Sequence, residues 1–171
     1  EKAAEFCKET GVSKYVYGSS CSIYDVGISN EERDLIVDET HAVNPKAAYA
    51  ASKYNAENAL LKMADKNFHP VILRKGTIYG FSPRMRYDLV LNTFIKDALS
   101  KGEINIHYGG EMWRPLVSVV DASRAYLSCI EADNEKVSGQ VFNVIGGNFR
   151  ISELALRVKS ALREINVKTD I

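Results

Sequence analysis

Three short runs rich in β-branched and aromatic residues alternate with helical segments along this chain. They begin near Lys14, Val71 and Val141. Strands that are separated by helices pair in parallel. Each helix carries the chain back to the edge of the sheet where the preceding strand began, so the next strand has the same direction. The sequence therefore predicts an α/β fold with a parallel sheet.

The remaining segments predict what surrounds this sheet. Residues 25–44 are polar, acidic and irregular, and Asn44 with Pro45 predicts the start of a long helix that runs to about residue 66. Further helical patterns cover residues 87–100, 122–132 and 152–165, and Asp121 is the predicted N-cap of the second of these. The runs INIHY (104–108) and PLVSVV (115–120) read as two extra strands and predict a small additional lobe.

Charge and composition exclude several classes of partner. The chain has 22 basic and 22 acidic residues and a net charge of zero, which predicts binding to neither nucleic acid nor an acidic membrane surface. No apolar run is long enough to span a bilayer, so the sequence predicts no membrane insertion. Scattered cysteines predict a reducing, cytoplasmic setting: Cys7, Cys21 and Cys129. Scattered histidines predict no metal site: His41, His69 and His107.

Tyr49 and Lys53 are the first pair of residues with a chemical use. They stand four residues apart in the long predicted helix, so their side chains share one face. An ammonium near a phenol stabilises the phenolate, which makes tyrosine a better general base. The same spacing is also common on solvated helix edges, so the pair alone leaves both interpretations open.

A serine cluster directly follows the first strand. Ser19 and Ser20 stand where a parallel sheet exposes its carboxyl edge, and this is where α/β proteins bind ligands. A hydroxyl there can donate a hydrogen bond to a substrate oxygen. Serines in such positions also form ordinary turns.

These residues together resemble the extended short-chain dehydrogenase/reductase family, in which a strand-end Ser or Thr precedes a helical Tyr-x-x-x-Lys pair. The stretch LRKGTIYG (73–80) is similar to a second family segment, and RPLVSVVDASRA (114–125) is similar to a third. The resemblance covers essentially the whole chain and is strongest to NAD-dependent nucleotide-sugar epimerases and dehydratases. It implies a partial, Rossmann-like, doubly wound parallel sheet with a small mixed α/β substrate-binding lobe.

The resemblance also implies a division of the chain. Residues 1–75 correspond to the C-terminal part of the NAD-binding domain, and residues 76–171 mainly to the substrate-binding lobe, with a strand near 141–145 that returns to the first sheet. The family's N-terminal strand, glycine-rich turn and helix, which hold the NAD pyrophosphate, have no counterpart here. We therefore expect this sequence to be a fragment that is inactive by itself.

The resemblance implies a role for each matching residue. The implied catalytic residues are Ser20, Tyr49 and Lys53. The implied contacts to the cofactor, NAD or alternatively NADP, come from Tyr49, Lys53 and Gly76. The implied contacts to a nucleotide-diphosphate sugar come from Ser20, Thr77, Leu89, Tyr108 and Arg114. Among the last group, Arg114 matches the family's diphosphate ligand, Leu89 a backbone amide near phosphate, and Tyr108 an aromatic against the base.

The implied reaction depends on the residues that follow Ser20. The 4,6-dehydratases carry Asp and Glu there, whereas this chain has Cys21 and Ser22, so dehydration is disfavoured. What remains is 4-epimerisation through a transient 4-keto sugar, and we take this as the leading hypothesis. Two alternatives stay open, an NAD(P)-dependent dehydrogenase or reductase of a keto-sugar or small alcohol, and a non-catalytic dinucleotide-sensing module. The resemblance also implies a homodimer.

Overall fold

The computed structural model describes residues 1–25 and 35–171 of the chain. The helices are α1 (Lys2–Glu9), α2 (Ala48–Lys62), α3 (Val90–Lys101), α4 (Val119–Glu131), α5 (Asn134–Val137) and α6 (Ile151–Glu164). The strands are β1 (Lys14–Ser20), β2 (His69–Lys75), β3 (Thr77–Tyr79), β4 (Trp113–Ser118), β5 (Val141–Val144) and β6 (Gly147–Arg150). Short 3-10 turns cover Cys21–Tyr24 and Tyr108–Gly110.

The first sheet has the strand order β1-β2-β5, and its described pairs are parallel. In its register Ser19 lies opposite Arg74 and Ser20 lies opposite Lys75. This confirms the predicted α/β class with a parallel sheet. All three strands end at one edge, so β1 delivers Ser20 to the edge where ligands bind in such folds.

Helices cover both faces of this sheet, because successive side chains of its central strand point to opposite sides. Ile72 packs with Leu60 of α2 and Ala4 of α1 on one face. Val71 and Leu73 pack with Cys129 of α4 on the other. Because β2 is buried on both faces, its run VILR (71–74) shows no alternation of apolar and polar residues.

The second sheet, ordered β3-β4-β6, forms the base of a separate cluster. Strands β3 and β4 are parallel, and β4 and β6 are antiparallel. Its core is made by α3, α6 and β4 and contains Phe94, Leu116, Leu154 and Val158. The chain enters this sheet directly after β2 and returns to the first sheet at β5, so the two sheets meet beside the carboxyl edge of β1 and β2.

Several predicted boundaries were wrong. The run INIHY contains no strand; Tyr108 instead begins a 3-10 turn that ends at Gly110. Helix α4 begins three residues earlier than expected, because the Ser118 side chain, not that of Asp121, is the N-cap. Helix α2 begins at Ala48 rather than after Asn44. Within the predicted irregular segment 25–44, residues 26–34 lie outside the described part, and residues 35–44 contain no helix or strand.

Candidate active site

The end of β1 separates the two candidate serines. The Ser19 side chain is buried, and its Oγ has no hydrogen-bond partner among the described residues. Ser20 is the last residue of β1 and the N-cap of the following 3-10 turn. Its Oγ accepts hydrogen bonds from the Ser22 N–H at 3.2 Å and from the Ser22 hydroxyl at 2.9 Å. Ser20 is therefore the strand-end hydroxyl that is oriented by local structure.

Tyr49 and Lys53 lie together in the first turns of α2, as their spacing predicted. The Lys53 Nζ is 5.8 Å from the centre of the Tyr49 ring, and 60% of Tyr49 is exposed. Lys53 also donates a 2.9 Å hydrogen bond to the carbonyl oxygen of Gly18. Because Gly18 is two residues before Ser20, this bond places the ammonium beside the end of β1. Lys53 forms no ion pair with a carboxylate in residues 1–25 and 35–171.

A buried ion pair connects the same helix to the centre of the sheet. Glu57 stands four residues after Lys53 and is 1% exposed, and Arg74 of β2 is 5% exposed. The Arg74 Nη2 is 2.8 Å from the Glu57 Oε2, and the Arg74 Nε contacts both carboxylate oxygens. Burial alone would lower the pKa of Arg74, but its hydrogen bonds to Glu57 and Tyr24 outweigh burial and raise it. The guanidinium is therefore charged and holds α2 against β2.

Tyr24 extends this ion pair towards β5 and the segment before α2. Arg74 donates a 2.9 Å hydrogen bond to the Tyr24 hydroxyl, which donates at 2.7 Å to the Asn143 side-chain carbonyl. The Asn143 backbone N–H donates at 2.6 Å to the Glu39 carboxylate. Burial raises the pKa of Tyr24, so its phenol stays protonated. The network thus links the 3-10 turn after Ser20 to three separate parts of the chain.

Cys21 is excluded as an acid or base at neutral pH by its surroundings. Burial raises the pKa of its thiol to about 12. The thiol donates a 3.2 Å hydrogen bond to the Arg74 carbonyl oxygen. A protonated thiol held in this way packs as a small apolar group.

Arg114 is the predicted substrate residue with the clearest capacity to bind an anion. It lies in β4 at the edge of the second sheet, and its Nη1 donates to the carbonyl oxygen of Trp113 at 3.0 Å. Within the described ranges, no carboxylate pairs with it. A guanidinium without a carboxylate partner keeps its planar set of donors for the oxygens of a phosphate.

Arg84 and Arg86, in the loop before α3, differ in whether they pair with a carboxylate of the described residues. Arg86 donates to the Asp88 carboxylate at 2.8 Å, and this contact lowers the pKa of Asp88 to about 2. The same hydrogen bond raises the pKa of Arg86, with a smaller electrostatic effect from Tyr49. Arg84 is exposed.

The other predicted contacts occupy the second sheet and its loops. Tyr108 is 93% exposed and has a positive φ of 54°, which is uncommon for a residue with a side chain. Thr77 begins β3, and Leu89 is the N-cap residue of α3, where its N–H contacts the Arg86 carbonyl at 3.5 Å. A Cβ on Gly76 would lie 2.8 Å from the Pro115 carbonyl oxygen, so close packing against β4 requires this glycine. The functional roles of these residues stay predictions.

No cluster of three or more His, Cys, Asp or Glu side chains in the described residues has the arrangement of a metal site. None of the helices in the described ranges combines the length and apolar character that crossing a bilayer requires.

Known proteins resemble this chain in sequence and in fold. Residues 1–144 match the model of the NAD-dependent epimerase/dehydratase family. The chain belongs to this family. The match confirms the predicted kinship with nucleotide-sugar epimerases and dehydratases, and with it the NAD dependence that characterises the family.

Individual relatives cover more than one reaction. The chain is 29% identical over 163 residues to a dTDP-D-glucose 4,6-dehydratase of Dictyostelium discoideum, an alignment that covers 91% of this chain and 36% of the relative. It is 28% identical over 137 residues to a putative UDP-glucose 4-epimerase of Methanocaldococcus jannaschii, covering 78% of this chain and 43% of the relative. The chain thus spans less than half the length of these curated relatives.

Solved structures show the same fold. A UDP-glucuronic acid 4-epimerase from Bacillus cereus, in complex with UDP-glucuronic acid and NAD, matches with a TM-score of 0.77 and 25% identity. That match covers 98% of this chain and 51% of the other chain. A UDP-N-acetylglucosamine 4-epimerase from Methanobrevibacter ruminantium matches with a TM-score of 0.76 and 23% identity over 99% of this chain and 53% of the other.

The described residues fit one end of NAD. Tyr49 offers an exposed phenol, and Lys53 offers an ammonium that has no carboxylate partner in the described ranges, so the pair has donors for ribose hydroxyls beside the sheet edge. A glycine-rich turn between a strand and a helix, which binds the pyrophosphate in dinucleotide folds, is absent from the sequence. The fit therefore concerns a ribose of NAD and not its pyrophosphate.

Sequence reasoning missed the buried network below the site. Glu57, Arg74, Tyr24 and Asn143 were given no role, although Arg74 belongs to the LRKGTIYG stretch. One signal was available, since Glu57 continues the spacing of Tyr49 and Lys53 by another four residues. A carboxylate on the helix face that meets the sheet predicts a basic partner in the sheet.

Proposed function

We propose that the protein carrying this chain is an NAD-dependent nucleotide-sugar 4-epimerase. The observation that supports this proposal is the arrangement of Tyr49 and Lys53 at the end of β1. An exposed phenol lies beside an ammonium, and that ammonium is hydrogen-bonded to the strand that ends in Ser20. This arrangement serves proton transfer at a hydroxyl-bearing carbon.

Each side chain has a distinct task in the proposed reaction. Tyr49 removes the proton of the sugar 4-hydroxyl, and the ammonium of Lys53 lies 5.8 Å from the centre of the Tyr49 ring. NAD, whose ribose Tyr49 and Lys53 would hold, would supply the hydride chemistry at this carbon. Ser20 donates a hydrogen bond to the 4-oxygen, and Tyr49 gives the proton back. The sugar therefore leaves with the configuration at one carbon inverted and with no net oxidation.

Epimerisation is favoured over dehydration by the residues after Ser20. Elimination of water needs an acid and a base besides the tyrosine, and the matching positions hold Cys21 and Ser22. Since burial raises the pKa of Cys21 to about 12, its thiol does not supply a base at neutral pH. Ser22 carries a hydroxyl, which is a poor acid or base at that pH.

The substrate proposed here is a nucleotide-diphosphate sugar. Arg114 binds the diphosphate, and Thr77, Leu89 and Tyr108 surround the sugar and the base. Support comes from the guanidinium of Arg114, which pairs with no carboxylate in residues 1–25 and 35–171, and from the exposed ring of Tyr108. The first sheet belongs to the cofactor-binding part and the second sheet to the substrate-binding part.

The decisive test uses the full natural protein that carries this sequence. We expect NAD to copurify with it, and NMR to show inversion at carbon 4 of at least one sugar in a panel of UDP- and dTDP-sugars. The Tyr49→Phe variant should lose about 10²- to 10⁴-fold in kcat, because proton transfer is removed, and should still copurify with NAD, because Lys53 remains to contact the ribose. Tyr54→Phe, on the same helix, is the matched control and should retain wild-type activity.

Other outcomes would replace the proposal. Accumulation of NADH during turnover would identify a dehydrogenase, and reduction of a 4-keto sugar without inversion would identify a reductase. Bound NAD without turnover of any sugar would leave a dinucleotide-sensing module. Full activity in Tyr49→Phe would exclude the tyrosine as general base.

Two further proposals concern the protein as a whole. We propose a homodimer in which α2 contributes to the interface, to be tested by analytical ultracentrifugation of the full natural protein. The predicted cytoplasmic location can be tested by cell fractionation.

A further inference from the structure

The hydroxyl oxygen of Ser20 receives both of its hydrogen bonds from a single residue. The Ser22 N–H donates to it at 3.2 Å and the Ser22 hydroxyl donates at 2.9 Å. A serine hydroxyl has one proton to donate and two lone pairs that accept. With both lone pairs occupied by Ser22, the Ser20 oxygen interacts with further groups through its own proton.

We propose that Ser22 is a positioning residue that makes Ser20 a hydrogen-bond donor to the reacting oxygen of the substrate. This inference rests on the proposed epimerase function, in which the 4-oxygen becomes a carbonyl. A carbonyl oxygen accepts hydrogen bonds and cannot donate them. A Ser20 whose proton is free therefore matches the keto form of the sugar.

The surrounding structure keeps Ser22 in place although its side chain is exposed. Ser22 lies in the 3-10 turn Cys21–Tyr24, whose last two residues, Ile23 and Tyr24, are 0% and 5% exposed. The hydroxyl of Tyr24 is in turn bonded to Arg74 and Asn143. The turn is thus anchored to the sheet, and the Ser22 N–H has a fixed direction.

The second bond from Ser22 has an electronic effect as well as a geometric one. Hydrogen bonds in a chain polarise one another, so an oxygen that accepts two bonds becomes a stronger donor through its own hydrogen. The Ser22 hydroxyl forms its one described hydrogen bond with Ser20. Removing the Ser22 hydroxyl therefore removes one of the two hydrogen bonds that the Ser20 oxygen accepts. The bond from the Ser22 N–H and the other described contacts of the turn stay in place.

The test compares four variants of the full natural protein with wild type: Ser22→Ala, Ser22→Thr, Ser20→Ala and the double variant Ser20→Ala/Ser22→Ala. We expect Ser22→Ala to lower kcat about tenfold, the effect of one hydrogen bond between neutral groups, with little change in KM. Ser22→Thr should restore most of kcat, because threonine keeps the hydroxyl. Ser160→Ala, an exposed serine on α6, serves as the control and should match wild type.

The double variant separates positioning from direct contact. If Ser22 acts through Ser20, adding Ser22→Ala to Ser20→Ala lowers kcat no further. A further loss in that background, or a rise in KM alone, would show that Ser22 touches the substrate and would overturn the inference. Wild-type kcat in Ser22→Ala would also overturn it while leaving the epimerase proposal intact. A wild-type protein that inverts no sugar would instead refute the proposed function, and the inference with it.

Thermal melting provides the check on folding. The exposed Ser22 side chain contributes one described hydrogen bond, so Ser22→Ala should melt close to wild type. If the melting temperature fell clearly in Ser22→Ala and recovered together with kcat in Ser22→Thr, the hydroxyl would serve the stability of the turn. That result would overturn the positioning role.

Discussion

Gly18 leaves room for a hydrogen bond that lies across the first sheet. Lys75 of β2 donates to the Tyr126 hydroxyl of α4 at 2.8 Å, and its ammonium is 5.1 Å from the centre of that ring. A Cβ on Gly18 would come within 2.3 Å of the Tyr126 hydroxyl and 2.7 Å of the Lys75 Nζ. The space beside Gly18 is thus filled by the ends of two long side chains from other elements, on a strand that also positions Ser20.

Gly18→Ala should destabilise the protein by about 1 kcal/mol, because the added methyl displaces the ends of the Lys75 and Tyr126 side chains. Urea denaturation measures the loss. An unchanged midpoint in Gly18→Ala would mean that the two side chains move apart at no cost.

Cys21 makes stability depend on alkaline pH. Its folded pKa is raised to about 12, whereas an exposed thiol ionises near 9, so between these values the unfolded chain binds fewer protons than the folded one. Stability contributed by the protonated thiol is thus fully present below pH 9 and falls as pH rises from 9 towards 12. We expect Cys21→Ala to reduce this alkaline decline in urea midpoints measured from pH 8 to 10.5, and equal slopes in both proteins would contradict it.

At the scale of elements, the start of helix α4 is set by the side chain that caps it. Helix α4 begins directly after β4, because the Ser118 hydroxyl accepts a 3.0 Å hydrogen bond from the Asp121 N–H and donates at 2.7 Å to the Asp121 carboxylate. These bonds satisfy groups that the first turn leaves unpaired. Asp121 keeps a favourable position in that turn, where a negative charge meets the positive end of the helix dipole.

Ser118→Ala should lower the free energy of unfolding by about 1 kcal/mol through loss of the cap. The matched control is Ser128→Ala, an exposed serine inside the same helix, which should leave stability unchanged or slightly raised because alanine favours helix. Both can be compared by urea denaturation. Equal effects of the two substitutions would argue against a capping role for Ser118.

At the scale of the whole molecule, one buried ion pair unites elements that are distant in sequence. Arg74 and Glu57 join β2 to α2, and through Tyr24 they reach Asn143 of β5 and the turn after Ser20. Charges taken out of water are stable only when their hydrogen bonds are complete. The site thus rests on a network whose parts stabilise one another.

Glu57→Ala should lower the free energy of unfolding by about 3–5 kcal/mol, because it leaves the Arg74 charge buried without a partner. The double variant Glu57→Leu/Arg74→Met removes both charges and should recover a large share of that loss. Urea denaturation at neutral pH measures both. If the double variant lost as much stability as Glu57→Leu and Arg74→Met together lose singly, the two side chains would have no mutual dependence.

Local periodicity was sufficient for the main elements and for the Tyr49–Lys53 pair. A four-residue spacing places two side chains on one helix face whatever the helix packs against, so their proximity was predictable. The run INIHY does not form the predicted strand. Its β-branched residue Ile104 is instead buried in the core between α3 and α6. Strand propensity reflects packing as much as backbone preference, so it misleads where a loop supplies core residues.

The amino-acid order determined the α/β alternation, the strand-end serines and the face shared by Tyr49 and Lys53, because these depend on residues close together in the chain. Only the tertiary structure decided which serine is accessible, that Lys53 binds the Gly18 carbonyl, and that Glu57 meets Arg74. These contacts join residues separated by whole elements. Their formation depends on how helix and sheet pack, and that packing arises from the balance of burial and hydrogen bonding over the entire fold.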